Sequence, residues 1–191
     1  MCHFITMTLP LVTNQKQIAS IFHKNELGFK PITNVHVARQ VPETLYVLTT
    51  AGGCDCGTVV GLLHDHPTSH EDPPALNEAE LKKLHKQGWS EGKIQRWLDE
   101  KRRTLKKDVR TSADLAERRR TEACKWCDFV TELLHSGLAK RCGLILHRYS
   151  GSLESERINI KDRLLIPCAK LTPETIMNMD EDTLYEFCEG F

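Results

Sequence analysis

The sequence predicts an α+β protein built on a ferredoxin-like antiparallel sheet, with the element order βαββαβ. Two observations lead to this fold class. Apolar residues alternate in four short segments, which is typical of strands, and they recur at helical spacing in the segments between them. The 191 residues suit one α+β domain, residues 1–191. We expect two additions to the sheet, a loop and helical insertion at 58–111 and a C-terminal helical extension at 152–191.

The predicted strands are bounded by turn residues and alternate between two faces. The first strand begins with Cys2 and His3, which lie on opposite faces, and Pro10 closes it. A short turn at Pro42 joins the second strand to the third. The rival fold adds a further strand at 59–63. The four strands are residues 2–9, 35–41, 44–50 and 142–150.

Helices are predicted where helical apolar spacing follows a capping residue. Asn14 lies at the start of the first helix, and Gly137 follows the end of the longest. Thr172 and Pro173 mark the start of a short helix with proline in its first turn. Ile158 and Ile160 suggest a short further strand. The helical segments are 13–27, 77–86, a helix that begins at Ser90, 112–135, and a last acidic turn within 180–187.

The composition bounds the class of protein. The formal net charge is zero, and no run of about 18 apolar residues or signal-peptide pattern occurs. We therefore expect a cytoplasmic protein without a membrane partner. Its eight cysteines are too sparse for a disulfide scaffold and would be reduced there. No phosphate-binding loop, GxSxG, HExxH or dinucleotide fingerprint is present.

A glycine-rich loop, residues 51–57, follows the third strand and carries Cys54 and Cys56. Glycine permits positive φ and close backbone approach, so both sulfurs could be turned toward one point. In a ferredoxin-like sheet the strand order is 4-1-3-2. The start of the first strand then lies beside the ends of the third and fourth. This order brings Cys2 and His3 next to the loop and close to His147.

Thiolate and imidazole are the ligands of zinc and other soft metals, so the sequence predicts a metal site with zinc as the first candidate. His64 and His66 follow the loop and could return to the same edge. Two alternatives stay open: inert, partly buried thiols, and a redox or catalytic thiol at Cys2 or Cys54. The predicted ligands are Cys2, Cys54 and Cys56 with His3 or His147.

Cys2 also has a catalytic interpretation. Removal of Met1 would leave a free α-amine beside the thiol, and such an amine can act as the base for its own nucleophile. The Met1-Cys2 opening resembles that of class II glutamine amidotransferases and of the abasic-site-crosslinking SRAP family. The resemblance implies a thiol-dependent enzyme with Cys2 as its catalytic residue. It covers these two residues, and His3 follows where both families usually have glycine.

Three other features complete the predictions. Cys124 and Cys127 have the spacing of a zinc or redox pair, but they share one face of a predicted helix and are expected in the core. Residues 64–72 form a polar loop rich in ligand-type side chains. Residues 78–125 hold fifteen Lys and Arg against nine Asp and Glu, a net charge of +6. This basic block could contact nucleic acid or an acidic protein, although interleaved charges also suit a solvated helix. A homo-oligomer is compatible with the sequence.

Overall fold

The structure is a computed structural model that describes residues 2–11, 13–56, 58 and 83–190, with only the backbone described at 101–112. The rival strand at 59–63 and the histidines at 64 and 66 therefore lie outside the described residues. The chain falls into two compact units. One unit comprises Met1–His66 and Arg119–Phe191, and the other comprises Pro67–Arg118.

The described part of the first unit contains one six-stranded sheet, which confirms the α+β class. The strands are β1 (Cys2–Pro10), β2 (Lys30–Ile32), β3 (Thr44–Leu48), β4 (Arg141–Tyr149), β5 (Asp162–Pro167) and β6 (Thr183–Cys188). Their order across the sheet is β2-β3-β1-β4-β6-β5. Neighbouring strands are antiparallel except β5 and β6, which are parallel.

A simple ferredoxin-like topology is not confirmed, because the number and order of strands differ from βαββαβ. The strand order β4-β1-β3-β2 is present at one end of the sheet, where β2 is the edge strand. Beyond β4 the sheet continues with β6 and then β5. As expected for the start of the first strand, Cys2 pairs with Tyr149 at the end of β4. This part of the topology positions the candidate site.

The helices begin at residues that cap them. The Asn14 side chain accepts a hydrogen bond from the backbone N–H of Gln17, and Thr172 does the same for Thr175. Gly137 follows the longest helix with a φ of +70°, as its predicted stop requires. The helices are α1 (Gln15–Lys24), α2 (Val35–Gln40), α3 (Glu91–His135) and α4 (Pro173–Met177), with a 3₁₀ turn at Cys168–Lys170 and helical residues at 83–86.

The predicted second strand, 35–41, is wrong, because this segment forms helix α2. The Asn34 side chain accepts hydrogen bonds from the N–H groups of His36 and Val37, which starts a helix rather than a strand. Val37 is buried whereas Val35 is 51% exposed. The alternation of apolar and polar residues in this segment is therefore not that of a half-buried strand. The strand that pairs with β3 is the shorter β2.

Two further predictions need correction. The helices expected from Ser90 and over 112–135 are one continuous helix, α3, since neither glycine nor proline interrupts the chain between Lys93 and His135. The C-terminal extension is only partly helical, because it supplies β5 and β6. The predicted acidic turn within 180–187 is mostly strand β6, which lies between two neighbours and is therefore apolar on both faces. Ile158 and Ile160 lie in no strand.

Both faces of the sheet are covered by apolar side chains. On one face, Ile5 and Met7 of β1 pack in a core with Phe22 of α1 and with Phe129 and Leu133 of α3. The opposite face carries a second core that includes side chains of β3, β4 and β6 and extends to α2 and residue 158. In the part of the chain that the structure describes, no helix combines the length and apolarity needed to cross a membrane.

Candidate metal centre

The cysteine loop runs along β1 after β3 ends. The last residue pair of β3 with β1 joins Leu48 to Thr6. Thr49 then donates from its backbone N–H to the carbonyl oxygen of Ile5 at 3.3 Å and from its hydroxyl to the same oxygen at 2.6 Å. After a short excursion the chain returns to β1, where the N–H of Asp55 donates to the carbonyl oxygen of His3 at 2.9 Å. The loop is therefore docked beside the first residues of β1.

A backbone hydrogen bond to sulfur fixes Cys56 in this arrangement. The N–H of His3 donates to Cys56 Sγ at 3.1 Å. The sulfur is the acceptor, which is the role that a metal-bound thiolate plays when neighbouring N–H groups tune a metal site. The backbone of His3, the neighbour of Cys2 in sequence, thus holds the Cys56 thiol in place.

Three sulfur atoms meet at this edge of the sheet. The Sγ atoms of Cys2, Cys54 and Cys56 all lie within 4.8 Å of one another, and each residue is half-buried. Sulfur ligands of a tetrahedral zinc ion lie about 3.8 Å apart, given Zn–S bonds of about 2.3 Å. A small movement of the loop therefore suffices to coordinate a metal ion. No described cysteine is in a disulfide, so the group can provide three thiolates.

The glycines of the loop do not act as the sequence suggested. Neither Gly52 nor Gly53 has a positive φ, and a Cβ atom at either position would meet nothing within 4 Å. The steric need for glycine lies instead at Gly28, where a Cβ atom would come within 2.2 Å of the carbonyl oxygen of Thr50. The N–H of Gly28 donates to the carbonyl oxygen of Thr49 at 2.8 Å. Gly28 thus permits the close approach that fixes the start of the cysteine loop.

Asp55 is the site residue that sequence reasoning missed. Its carboxylate is buried, and Oδ2 accepts the N–H of Ile5 at 2.7 Å. Burial raises the pKa of Asp55, although the hydrogen bonds from Ile5 and Thr50 oppose this effect. An acid between two cysteines carries no recognisable signal in sequence, because its role depends on β1 lying alongside. Together with the Cys56 bond it attaches the loop to β1.

His3 lies beside the cysteine group but directs its ring elsewhere. Its side chain is buried, and Nε2 lies 2.8 Å from a carboxylate oxygen of Glu181, which precedes β6. His3 is not among the three residues whose ligand atoms converge. The pairing with Glu181 depends on β6 lying next to β4, which the sequence analysis did not include. His3 as a fourth metal ligand stays a prediction.

His147 has a similar carboxylate partner, but it lies on the opposite face of the sheet from His3, since it pairs with Phe4. Its Nδ1 contacts Asp182 Oδ1 at short range, and Lys161 Nζ lies 3.0 Å from the other oxygen. Burial alone would raise the pKa of Asp182, but the hydrogen bonds from His147 and Lys161 outweigh it and hold this pKa below its usual value. The carboxylate can only accept, so Nδ1 of His147 carries the proton. His147 as a metal ligand also stays a prediction.

The second pair of closely spaced cysteines has different surroundings. Cys127 is packed against the apolar core between the sheet and α3. Burial, with a smaller contribution from neighbouring Cys124, raises the pKa of Cys127 to about 11. Burial likewise raises the pKa of Cys142. These thiols are protonated at neutral pH, and among the described residues they belong to no converging ligand group. The expectation of a core role for Cys127 agrees with this environment.

Comparisons with protein-family models, with curated proteins and with solved structures each found no match for this chain. The site is therefore interpreted from its own geometry. The catalytic interpretation of Cys2 stays a prediction, and Met1 lies outside the described residues. Interaction of the basic block 78–125 with nucleic acid or an acidic protein also stays a prediction. Arg118 and Arg120 of this block are exposed.

Proposed function

We propose that the protein binds one soft metal ion, zinc in the first instance, through the thiolates of Cys2, Cys54 and Cys56. The observation that carries the proposal is the convergence of three sulfurs, within 4.8 Å of one another, from segments more than fifty residues apart. Thiolates are the preferred ligands of zinc and of other soft metals such as copper(I) and iron. A core packing role would not require three half-buried thiols to meet at the end of a strand.

The hydrogen bonds around the group support the same function. Metal ligands are usually held in place by neighbouring polar groups, whose loss weakens metal binding. Here the N–H of His3 donates to Cys56 Sγ. Asp55 bonds to β1 twice: its backbone N–H donates to the carbonyl oxygen of His3, and its carboxylate accepts from the N–H of Ile5. These contacts restrain the loop before any metal binds, which lowers the entropic cost of forming the site.

The fourth coordination position completes the proposal. Three protein ligands with one exchangeable position are typical of catalytic zinc sites, whereas structural sites usually have four protein ligands. A histidine at that position, from His3, His147, His64 or His66, would make the site Cys₃His. Free thiols also fit a reducing compartment, so the cytoplasm is part of this proposal.

Metal analysis of the purified protein tests the proposal. We expect about one zinc ion per chain by elemental mass spectrometry, with three thiols becoming reactive only after chelation. Substitution with Co²⁺ should produce the intense near-ultraviolet bands of cobalt–thiolate bonds. A protein that is purified and refolded with zinc yet retains less than about 0.1 ion per chain would rule the function out.

A thiol-dependent enzyme that uses Cys2 or Cys54 is the second proposal. It is supported by one observation, that Cys54 lines a pocket large enough for a small molecule. In that case one thiol of the metal-free protein should react with iodoacetamide much faster than the other two, and Met1 should be absent in intact-mass measurements if Cys2 is the nucleophile. Equal reactivity of the three thiols would contradict this proposal.

A further inference from the structure

The three sulfurs of the candidate metal centre are close enough to be joined by oxidation. Their Sγ atoms all lie within 4.8 Å of one another, and a disulfide bond requires two of them to approach to about 2.05 Å. No described cysteine is in a disulfide, so all three are available as thiols. Redox-sensing cysteines are typically accessible thiols next to a second thiol that resolves the oxidised form. The group therefore has the composition of an oxidisable dithiol as well as of a metal site.

Cys54 is the thiol that a small oxidant reaches through a pocket. It lines a pocket of about 380 Å³, which is far larger than a molecule of hydrogen peroxide. The side chains of Glu26 and Lys125 belong to the same lining and are mostly exposed, so the pocket is open to solvent. Among the described cysteines, only Cys54 belongs to the lining. Cys54 is therefore the first site of attack.

Cys2 is the partner that the geometry favours for Cys54. A bond between Cys54 and Cys56 would close a small ring around Asp55, whose backbone N–H and carboxylate are both bonded to β1. Cys56 also accepts the N–H of His3, and a thiolate accepts such a bond more strongly than a neutral disulfide sulfur does. A bond from Cys54 to Cys2 leaves the contacts of Asp55 and Cys56 in place.

We propose that the site is redox-sensitive: a peroxide oxidises Cys54, and Cys2 then forms a Cys2–Cys54 disulfide that prevents metal binding. In the first step the sulfur of Cys54 attacks hydrogen peroxide, the O–O bond breaks, and a sulfenic acid and one water are formed. In the second step the sulfur of Cys2 attacks the sulfenic acid and a second water leaves. The two thiols lose two electrons and two protons in total, and the peroxide is reduced to two molecules of water.

Metal binding and disulfide formation compete for the same sulfurs. A thiolate is both the nucleophile and the metal ligand, and zinc has no redox chemistry of its own. A bound ion therefore protects Cys2 and Cys54, whereas the disulfide leaves only Cys56 of the three ligands. The inference deepens the proposed function by assigning a regulation to the same site, and it rests on that function only for the effect on metal binding. The disulfide itself is tested in metal-free protein.

Peptide mapping of the metal-free, full-length protein tests the pairing. The protein is treated with hydrogen peroxide, its remaining thiols are blocked, and it is digested without reductant by trypsin and Asp-N. Trypsin cuts after Arg39 and Asp-N cuts before Asp55, so the three cysteines fall on three different peptides. We expect Cys2 linked to Cys54 and a blocked thiol at Cys56. A linked pair that includes Cys56, or no linked peptide, would overturn the proposal.

Two cysteine variants test the order of the steps. Cys2→Ser should abolish the disulfide, and dimedone, which labels sulfenic acids, should then mark Cys54 at least about tenfold more than in the wild type. Cys124→Ser replaces a half-buried cysteine of α3 outside the group and should leave the disulfide yield within about twofold. Unchanged labelling of Cys54 in Cys2→Ser, or equal loss of the disulfide in both variants, would overturn the assignment.

Zinc content measured on the same samples separates this inference from the proposed function. Oxidised protein should bind zinc at least about tenfold less than reduced protein, and zinc-loaded protein should form the disulfide at least about tenfold more slowly. Protein that binds zinc but forms no Cys2–Cys54 disulfide when metal-free overturns the redox inference and leaves the metal site intact. Protein that forms the disulfide but binds no zinc when reduced, even after refolding with zinc, overturns the metal site and leaves the disulfide intact.

Discussion

The two pairs of closely spaced cysteines differ in a way that their sequence spacing does not reveal. Cys124 and Cys127 have the two-residue gap that zinc sites commonly use. Yet Cys127 packs against the apolar core, with its pKa raised to about 11. Cys54 and Cys56 have a less usual gap, but they lie beside a third sulfur, and Cys56 accepts a backbone hydrogen bond.

The physical cause is the type of element that carries each pair. Residues three apart on a helix share one face, and on α3 Cys127 packs against the core between the helix and the sheet. Burial without a charged partner keeps a thiol protonated. A loop at the end of a strand leaves its side chains half-exposed and leaves the N–H groups of β1 free to bond to them. Surroundings therefore separate a ligand cysteine from a core cysteine better than spacing does.

The largest expected effect separates the two pairs by their metal binding. Cys56→Ser removes one of three converging sulfurs and should lower zinc affinity by at least about 100-fold, because even loss of a residue that supports a ligand costs 10- to 100-fold. Cys124→Ser, on α3, should retain wild-type metal content. Competition with a chromophoric chelator measures both affinities. Similar losses in the two variants would break the comparison.

Thiol reactivity should separate the same pairs without mutation. With its pKa near 11 instead of the ordinary 9.0, Cys127 has about 100-fold less thiolate at pH 8 than an ordinary thiol. In metal-free protein, alkylation by iodoacetamide should therefore reach Cys54 and Cys56 well before Cys127. Site-resolved mass spectrometry over a pH series measures the rates. A Cys127 rate that reaches its plateau by pH 9 would contradict the raised pKa.

A third variant distinguishes loss of stability from loss of metal. Asp182→Asn weakens the contacts with His147 and Lys161 and should destabilise the fold by about 1–3 kcal/mol at pH 7. Because the pKa of Asp182 lies below its ordinary value of 3.8, this stabilisation is complete above that value and is lost as pH falls through the folded pKa.

Denaturant unfolding at several pH values should therefore show the Asp182→Asn difference shrink in acid, while zinc content at pH 7 stays unchanged. Asn tolerates the positive φ of 62° at this position, so the backbone is not strained by the substitution. A difference that grows as the pH falls would show that the carboxylate does not stabilise the folded state.

The smallest expected effect concerns His147. Because the His147 ring is not in the converging group, His147→Gln should leave zinc affinity within about threefold. The same chelator competition measures it, with Cys56→Ser as the positive control. A loss comparable to that of Cys56→Ser would establish His147 as the fourth ligand and sharpen the site to Cys₃His.

Much of the central sheet could be predicted because its strands alternate in a way that burial on two faces requires. The register that places Cys2 against Tyr149 follows from the order of β1 and β4, and that order was predicted. Segment 35–41 failed because alternation of valine and histidine suits a short helix as well as a strand once Asn34 caps it. Strand β6 failed because a strand buried on both faces lacks alternation and its apolar residues also fit a helical turn.

The sequence by itself determined the α+β class, the approximate positions of β1, β3 and β4, and the meeting of Cys2 with Cys54 and Cys56. These follow from local patterns and from one strand order. Only the tertiary structure decided that His3 and His147 contact Glu181 and Asp182, that Asp55 is buried on β1, and that a pocket opens beside Cys54. Those contacts join distant segments through β6 and α3, and burial and hydrogen bonding between such segments have no signature in either segment alone.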